Sequence, residues 1–164
     1  MTVGRQRFAK ASKLADTSAH ALLAQIRRSL HGAVDVHPQT IECAPPQKGA
    51  YLLLMRFEAP AVFSHKRAAT TLPAGWYAYC GSAYGPGGIR ARLRRHFRRD
   101  KTLHWHVDHL TVLAEPIEAL AIAQGSECAI AAHLTRTRLF GPALPGFGSS
   151  DCTTCPSHLL RWQS

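Results

Sequence analysis

Acidic residues are scarce in this chain. Ten Asp and Glu stand against 20 Lys and Arg, which leaves a net charge of +10 over 164 residues. That imbalance favours polyanionic partners, because bound Lys and Arg release condensed counterions. Long apolar runs are also missing, and none approaches a membrane span. Residues 1–13 are basic but no apolar stretch follows, so a secretory signal is not expected. An Arg- and Ser-bearing start can imitate an organelle transit peptide; Asp16 and a regular helical pattern argue against one. The five cysteines are an odd number, which suits free thiols in a reducing cytoplasm better than a disulfide framework. No internal repeat is present. With 46% hydrophobic and 18% charged residues, the chain can build the core of one ordinary domain.

A second absence is more specific. Residues 76–99 read WYAYCGSAYGPGGIRARLRRHFRR, a glycine-rich loop between a strand and a helix. A P-loop needs Lys-Ser/Thr after its last glycine, to neutralise phosphates and hold magnesium. Here Ile89-Arg90 follows Gly88. A dinucleotide loop needs G-x-G-x-x-G, and Arg90 occupies the place of the third glycine. The loop is therefore not a nucleotide cradle of either kind.

The organisation is that of an α+β protein. Residues 1–44 read as an N-terminal helical arm and linker, with a helix from Asp16 or Thr17 to Leu30 and a stop at Gly32. Residues 45–164 form the main domain. Its expected sheet is small and mixed, with about three to four strands flanked by helices. Strands are expected at Ala50–Phe57, near Val62–Lys66, at Gly75–Gly81 and at Ile117–Ala123. Helices are expected at Ile89–Arg99 and, capped by Ser126, from Glu127 to about Arg136. His104–Leu110 fits either a helical turn or a strand. The tail from Gly141 is a Gly/Pro-rich loop ending in a Cys/His cluster.

In the helix after the loop, Ile89, Leu93 and Phe97 form a buried stripe. Arg92, His96 and Arg99 line one flank, and Arg90, Arg94 and Lys101 the other. Counting Arg95 and Arg98, seven cations lie within twelve residues, opposed only by Asp100. A run this dense is expected to grip a nucleic-acid backbone, DNA or RNA.

Cys152-x-x-Cys155-x-x-His158 places two thiolates and an imidazole at a spacing that suits Zn²⁺. A fourth ligand is needed, and Cys128, His104 and His106 are the candidates. The same residues read equally as a buried thiol cluster or a redox pair. His104, His106 and Asp108 are candidates for a second metal or phosphate site, or for a His–Asp pair that holds the basic helix. Trp105 reads as packing.

Gly49-Ala50-Tyr51 opens one strand and Tyr79-Cys80-Gly81 closes another. Arg92 and His96 follow on a helix, and Glu127 comes later at a helix start. This set resembles the GIY-YIG nuclease superfamily. Longer pieces are similar to one branch of it, sometimes fused to endonuclease III-type repair enzymes. These are the run Gly75-Trp76-Tyr77-Ala78-Tyr79-Cys80-Gly81-Ser82-Ala83-Tyr84-Gly85-Pro86-Gly87-Gly88, the run His104-Trp105-His106-Val107-Asp108, Glu127-Cys128, and Gly146-Phe147-Gly148-Ser149-Ser150-Asp151-Cys152. The resemblance covers about residues 49–160. It implies a metal-dependent endonuclease acting on DNA phosphodiesters in repair or processing. Glu127 would hold Mg²⁺ or Mn²⁺, Arg92 would steady the phosphate, Tyr51 would act as base and Tyr79 would support it. His96 would assist proton transfer or bind phosphate. Ala50 and Cys80 at the motif centres depart from the family pattern, and the gap between the two motifs is long enough for an extended hairpin around residues 58–74. The competing readings are a zinc-stabilised module that binds nucleic acid without cutting it, and a thiol-redox protein using Cys152 and Cys155.

Overall fold

A computed structural model of the chain describes residues 18–163. The basic segment 1–13 and the expected helix start at Asp16 or Thr17 lie outside the described residues. Helix α1 spans Ala19–Ser29 behind Ser18, whose hydroxyl accepts from the Ala21 N–H at 3.1 Å. That bond satisfies one of the amides a helix start leaves free.

The main sheet has six strands in the order β1-β6-β2-β5-β8-β7, and all neighbours are antiparallel. They are β1 (Val34–Val36), β2 (Gly49–Phe57), β5 (Gly75–Ser82), β6 (Ile117–Ala123), β7 (Phe140–Pro142) and β8 (Leu159–Trp162). A separate ribbon joins β3 (Ala61–His65) to β4 (Ala68–Leu72) through Lys66 and Arg67, both at positive φ as a two-residue I′ hairpin turn requires. This ribbon is the hairpin expected around residues 58–74. The expectation of α+β holds, but the sheet is wider than three to four strands and antiparallel throughout rather than mixed. The extra strands are short segments whose extended form depends on pairing: β1 on β6, β8 on β5 and β7 on β8.

Residues 18–44, read from the sequence as an arm, are built into this sheet. β1 pairs with β6, and α1 buries Leu22, Leu23 and Ile26 against the same sheet. Packing on the main domain keeps their apolar face out of water.

β2 is buried on both sides, which explains its unbroken apolar run. Tyr51, Leu53, Met55 and Phe57 face one core; Ala50, Leu52 and Leu54 face the other. The first core lies under α2 (Gly88–Phe97), α3 (Asp108–Thr111) and the ribbon; the second lies under α1 and α4 (Glu127–Arg136). Ile89 and Leu93 are fully buried, each contributing about 1.5–3 kcal/mol of transfer free energy to the seating of α2. Among the described residues no helix is long and apolar enough to cross a membrane.

Candidate functional site

Tyr51 begins its site from inside the sheet. It stands opposite Gly81 of β5 and Ala121 of β6. A Cβ at Gly81 would collide with the Tyr51 ring, and one at Gly49 would collide with the Ile122 carbonyl. Both motif glycines are therefore explained by space. The first lets the β6 backbone pass, and the second lets the tyrosine lie across β5.

The Tyr51 hydroxyl ends 2.8 Å from Nε2 of His96. His96 is fully buried behind it, and its Nδ1 has no hydrogen-bond partner among the described residues. Burial, followed by the charge of Lys101, pushes the His96 pKa down to about 3, so the ring is neutral at physiological pH. The structure corrects the expectation that His96 can bind phosphate: it does not line the cleft but lies behind Tyr51 and Trp105, which do. Burial also raises the Tyr51 phenol well above its ordinary value, reinforced by neighbouring Tyr79 and opposed by Arg92. Tyr79 is pushed up to about 12, again chiefly by burial.

Tyr51, Tyr79, Arg92 and Glu127 line one cleft of about 580 Å³. They come from β2, β5, α2 and the first turn of α4, at the sheet end where β2 starts and β5 finishes. Among the described residues the Arg92 guanidinium makes no hydrogen bond or ion pair. It is held by shape: its Cζ lies 4.4 Å from the centroid of Trp105, and a Cβ on Gly85 would come within 2.7 Å of its Nη2. Stacking of this kind leaves the N–H edges free for an anion. Trp105, read as packing, thus carries Arg92, and Gly85 leaves it room. The sequence showed the run but not this contact.

The other cations of the basic segment line no part of the cleft. Arg90 donates to the Ala44 carbonyl at 2.8 Å, Arg94 pairs with Glu42 at 2.7 Å, and Arg99 donates to the Val112 carbonyl at 3.0 Å. Arg98 bonds the Asp100 carbonyl at 3.3 Å. Arg95 binds Asp108 at 2.6 Å. Lys101, its side chain only 1% exposed, donates to the carbonyls of Arg95 and His96 at the end of α2. The repulsion that an outside polyanion was expected to relieve is met in large part by internal acceptors. Lys101 and Arg95 in particular serve the fold.

Asp108 is the centre of that arrangement. Fully buried, it accepts from the backbone N–H of His104 at 2.9 Å and of Trp105 at 3.0 Å as well as from Arg95. Burial would raise its carboxyl; the two backbone donors and Arg95 outweigh that and leave it below the usual range. These bonds resolve the ambiguity at His104–Leu110 as a turn leading into α3. They also separate Asp108 from the cleft, so His104, His106 and Asp108 do not form a joint metal site.

Among the described residues, one His/Cys/Asp/Glu group has metal-ligand spacing: Cys128, Cys152, Cys155 and His158, with ligand atoms all within 4.8 Å of one another. This cluster can hold a metal ion. Cys128, not His104 or His106, completes it. It follows Glu127 in α4, so the cluster borders the same cleft. The Cys152 thiol is drawn down to about 5, first by the Thr154 hydroxyl, while burial pushes Cys128 up to about 12. All five cysteines are free.

No curated protein and no solved structure matches the chain. A family model described as a domain of unknown function, DUF123, matches residues 50–164, which takes in Tyr51, the Tyr79 motif, α2, Glu127 and the whole Cys/His cluster, and the chain belongs to that family.

Proposed function

We propose that the protein is a GIY-YIG-type endonuclease that hydrolyses DNA phosphodiester bonds in repair or processing. The observation that carries this reading is the convergence of Tyr51, Tyr79, Arg92 and Glu127, from four separate elements, on one cleft. Phosphodiester hydrolysis needs an activated water and stabilised charge on the phosphorus oxygens. Arg92 supplies a permanent forked charge whose donors are unspent. Tyr51 takes the proton of the attacking water as a phenolate, a form that burial opposes and Arg92 favours, and the neutral His96 ring, protonated on Nε2, donates to that oxygen along their 2.8 Å contact. The water oxygen bonds to phosphorus, and the bond to the leaving sugar oxygen breaks. Tyr79 packs beside Tyr51, ring centroids 6.5 Å apart, and orients the water or phosphate.

A Mg²⁺ or Mn²⁺ ion fits Glu127, a hard oxygen donor on the cleft wall that no ion pair engages among the described residues. When bound there it would neutralise phosphate charge. The Cys₃His cluster suits Zn²⁺, a soft-tolerant ion with four-coordinate preference. The free thiols fit the cytoplasm.

The test is cleavage of branched, flapped, nicked and plain DNAs with Mg²⁺ or Mn²⁺. Cutting that is lost in Glu127→Ala is expected. If no substrate is cut, or Glu127→Ala cuts equally well, the reading fails.

A further inference from the structure

The chain between β7 and β8, residues 143–158, contains no helix or strand, yet it forms one wall of the cleft. Phe147, Gly148, Asp151, Cys152, Thr153 and Thr154 all line it. The base of this loop is fastened by backbone. Ala143 donates to the Leu159 carbonyl at 2.9 Å, Gly146 to Pro156 at 2.8 Å and His158 to Phe147 at 2.9 Å. Gly148, at φ +68°, sits so close to Tyr79 that a Cβ there would approach its ring to 2.8 Å.

The tip is held differently. From Ser150 to Thr154 the one backbone–backbone bond among the described residues runs from Cys152 N–H to the Ser149 carbonyl, at 3.0 Å. Nor does any ion pair or side-chain hydrogen bond join this loop to α4 among the described residues, apart from those of Cys128. Its sulfur lies 3.5 Å from the Cys152 sulfur and 3.5 Å from Nε2 of His158. Thiol contacts of that length are weak. A polar tip with so few bonds would open readily.

We propose that a zinc ion held by Cys128, Cys152, Cys155 and His158 ties this wall to the first turn of α4, and so fixes Glu127 in the cleft. The inference rests on the zinc and cleft readings above. Four protein ligands fill a tetrahedral ion and leave no open position, so the ion's role is structural. Its ligands come from two segments, Cys128 on one side and residues 152–158 on the other, separated by 24 residues from Cys128 to Cys152. Binding therefore closes a long loop and orders the tip in one event. Cys128 and Glu127 are adjacent, so fixing one backbone position fixes the next.

The experiment is metal analysis of the purified full chain, then hydrogen exchange with and without a zinc chelator. About one zinc ion per chain is expected, and its removal should accelerate amide exchange at residues 148–155 and 126–129 by at least about tenfold while β2 and β6 stay protected. Cys155→Ser should lose zinc and give the same pattern; if that variant does not fold, the chelated wild type carries the test. Absence of zinc overturns the proposal, as does zinc whose removal leaves exchange unchanged. Protection lost equally in β2 and β6 overturns it too, because the ion would then support the whole fold. No substrate enters these measurements, so failure of the nuclease reading leaves them intact. Glu127→Gln separates the two: it should abolish cleavage yet keep zinc content and exchange pattern.

Discussion

Replacing Asp108 with asparagine removes the charge that anchors the far end of α2. Its Oδ2 accepts from Arg95 at 2.6 Å and from two backbone amides at 2.9 and 3.0 Å, and its Oδ1 lies 3.9 Å from the Lys101 ammonium. Breaking a buried pair by removing one partner costs about 3–5 kcal/mol, because the surviving charge stays buried. Two features reduce that figure. An asparagine oxygen can still accept the backbone amides, and Lys101 keeps the carbonyls of Arg95 and His96 and the Thr111 hydroxyl. Arg95, with 26% of its side chain exposed, can also recruit water. The expected loss is thus about 2–3 kcal/mol at pH 7, at or just below the foot of the buried-pair range. Urea unfolding followed by circular dichroism measures it. A loss below about 1 kcal/mol, the scale of an exposed pair, would refute the anchoring argument. The pH arm has a definite sign. The folded carboxyl titrates below its unfolded value of about 3.9, so its contribution is full above that pH. It disappears as the pH falls through the lower folded value, and the gap between wild type and Asp108→Asn should close there.

Trp105→Leu removes the surface on which Arg92 stacks; a cation–π contact of about 0.5–2 kcal/mol translates to roughly 2- to 30-fold in kcat/KM for the proposed cleavage. Steady-state rates should show Trp105→Phe recovering part of the loss, and equal rates for Leu and Phe would rule out stacking. Gly81→Ala pushes a methyl group into the Tyr51 ring and should cost about 1–3 kcal/mol, read from thermal melts, with a change in near-ultraviolet dichroism. An unchanged melt would show that β5 yields freely at this point. His96 takes up its second proton only below about pH 3 when folded, so the rate of the proposed cleavage should show no inflection from it between about pH 5 and 8. Its folded pKa lies below the unfolded one, so stability should fall as the pH drops from about 6.5 towards that folded value. A rate inflection that Tyr51→Phe leaves in place and His96→Asn removes would contradict the buried neutral ring.

The elements most legible in the sequence are those with their own periodicity. The stripe Ile89, Leu93, Phe97 marked α2, Ser126 marked the start of α4, and Ile117–Ala123 marked β6 to the residue. What escaped were segments that take their form from a distant partner. Val34–Val36 is three residues long and extended because β6 lies beside it; Leu159–Trp162 is extended because Tyr77–Tyr79 pairs with it. At the candidate site, the tyrosine motifs, Arg92 and Glu127 could be picked out in order, because glycines flank the tyrosines for steric reasons. The partners of the charge run were illegible for the opposite reason. Its acceptors, Glu42, Asp108 and main-chain carbonyls of distant turns, leave no mark near Arg90–Lys101 in the sequence. Likewise, the CxxC and His158 spacing suggested a cluster, but only the fold could choose Cys128 over His104 and His106.

The sheet order has a consequence for how copies of this protein meet. Its two outer strands, β1 and β7, are three residues each, and β7 ends in Pro142, which has no amide hydrogen to offer. A sheet so trimmed at both margins gives an incoming strand almost nothing to zip onto. Strand-by-strand growth into fibrils or swapped dimers is thereby discouraged, even though the central strand carries a long unbroken apolar run that would be prone to self-association if it lay at an edge.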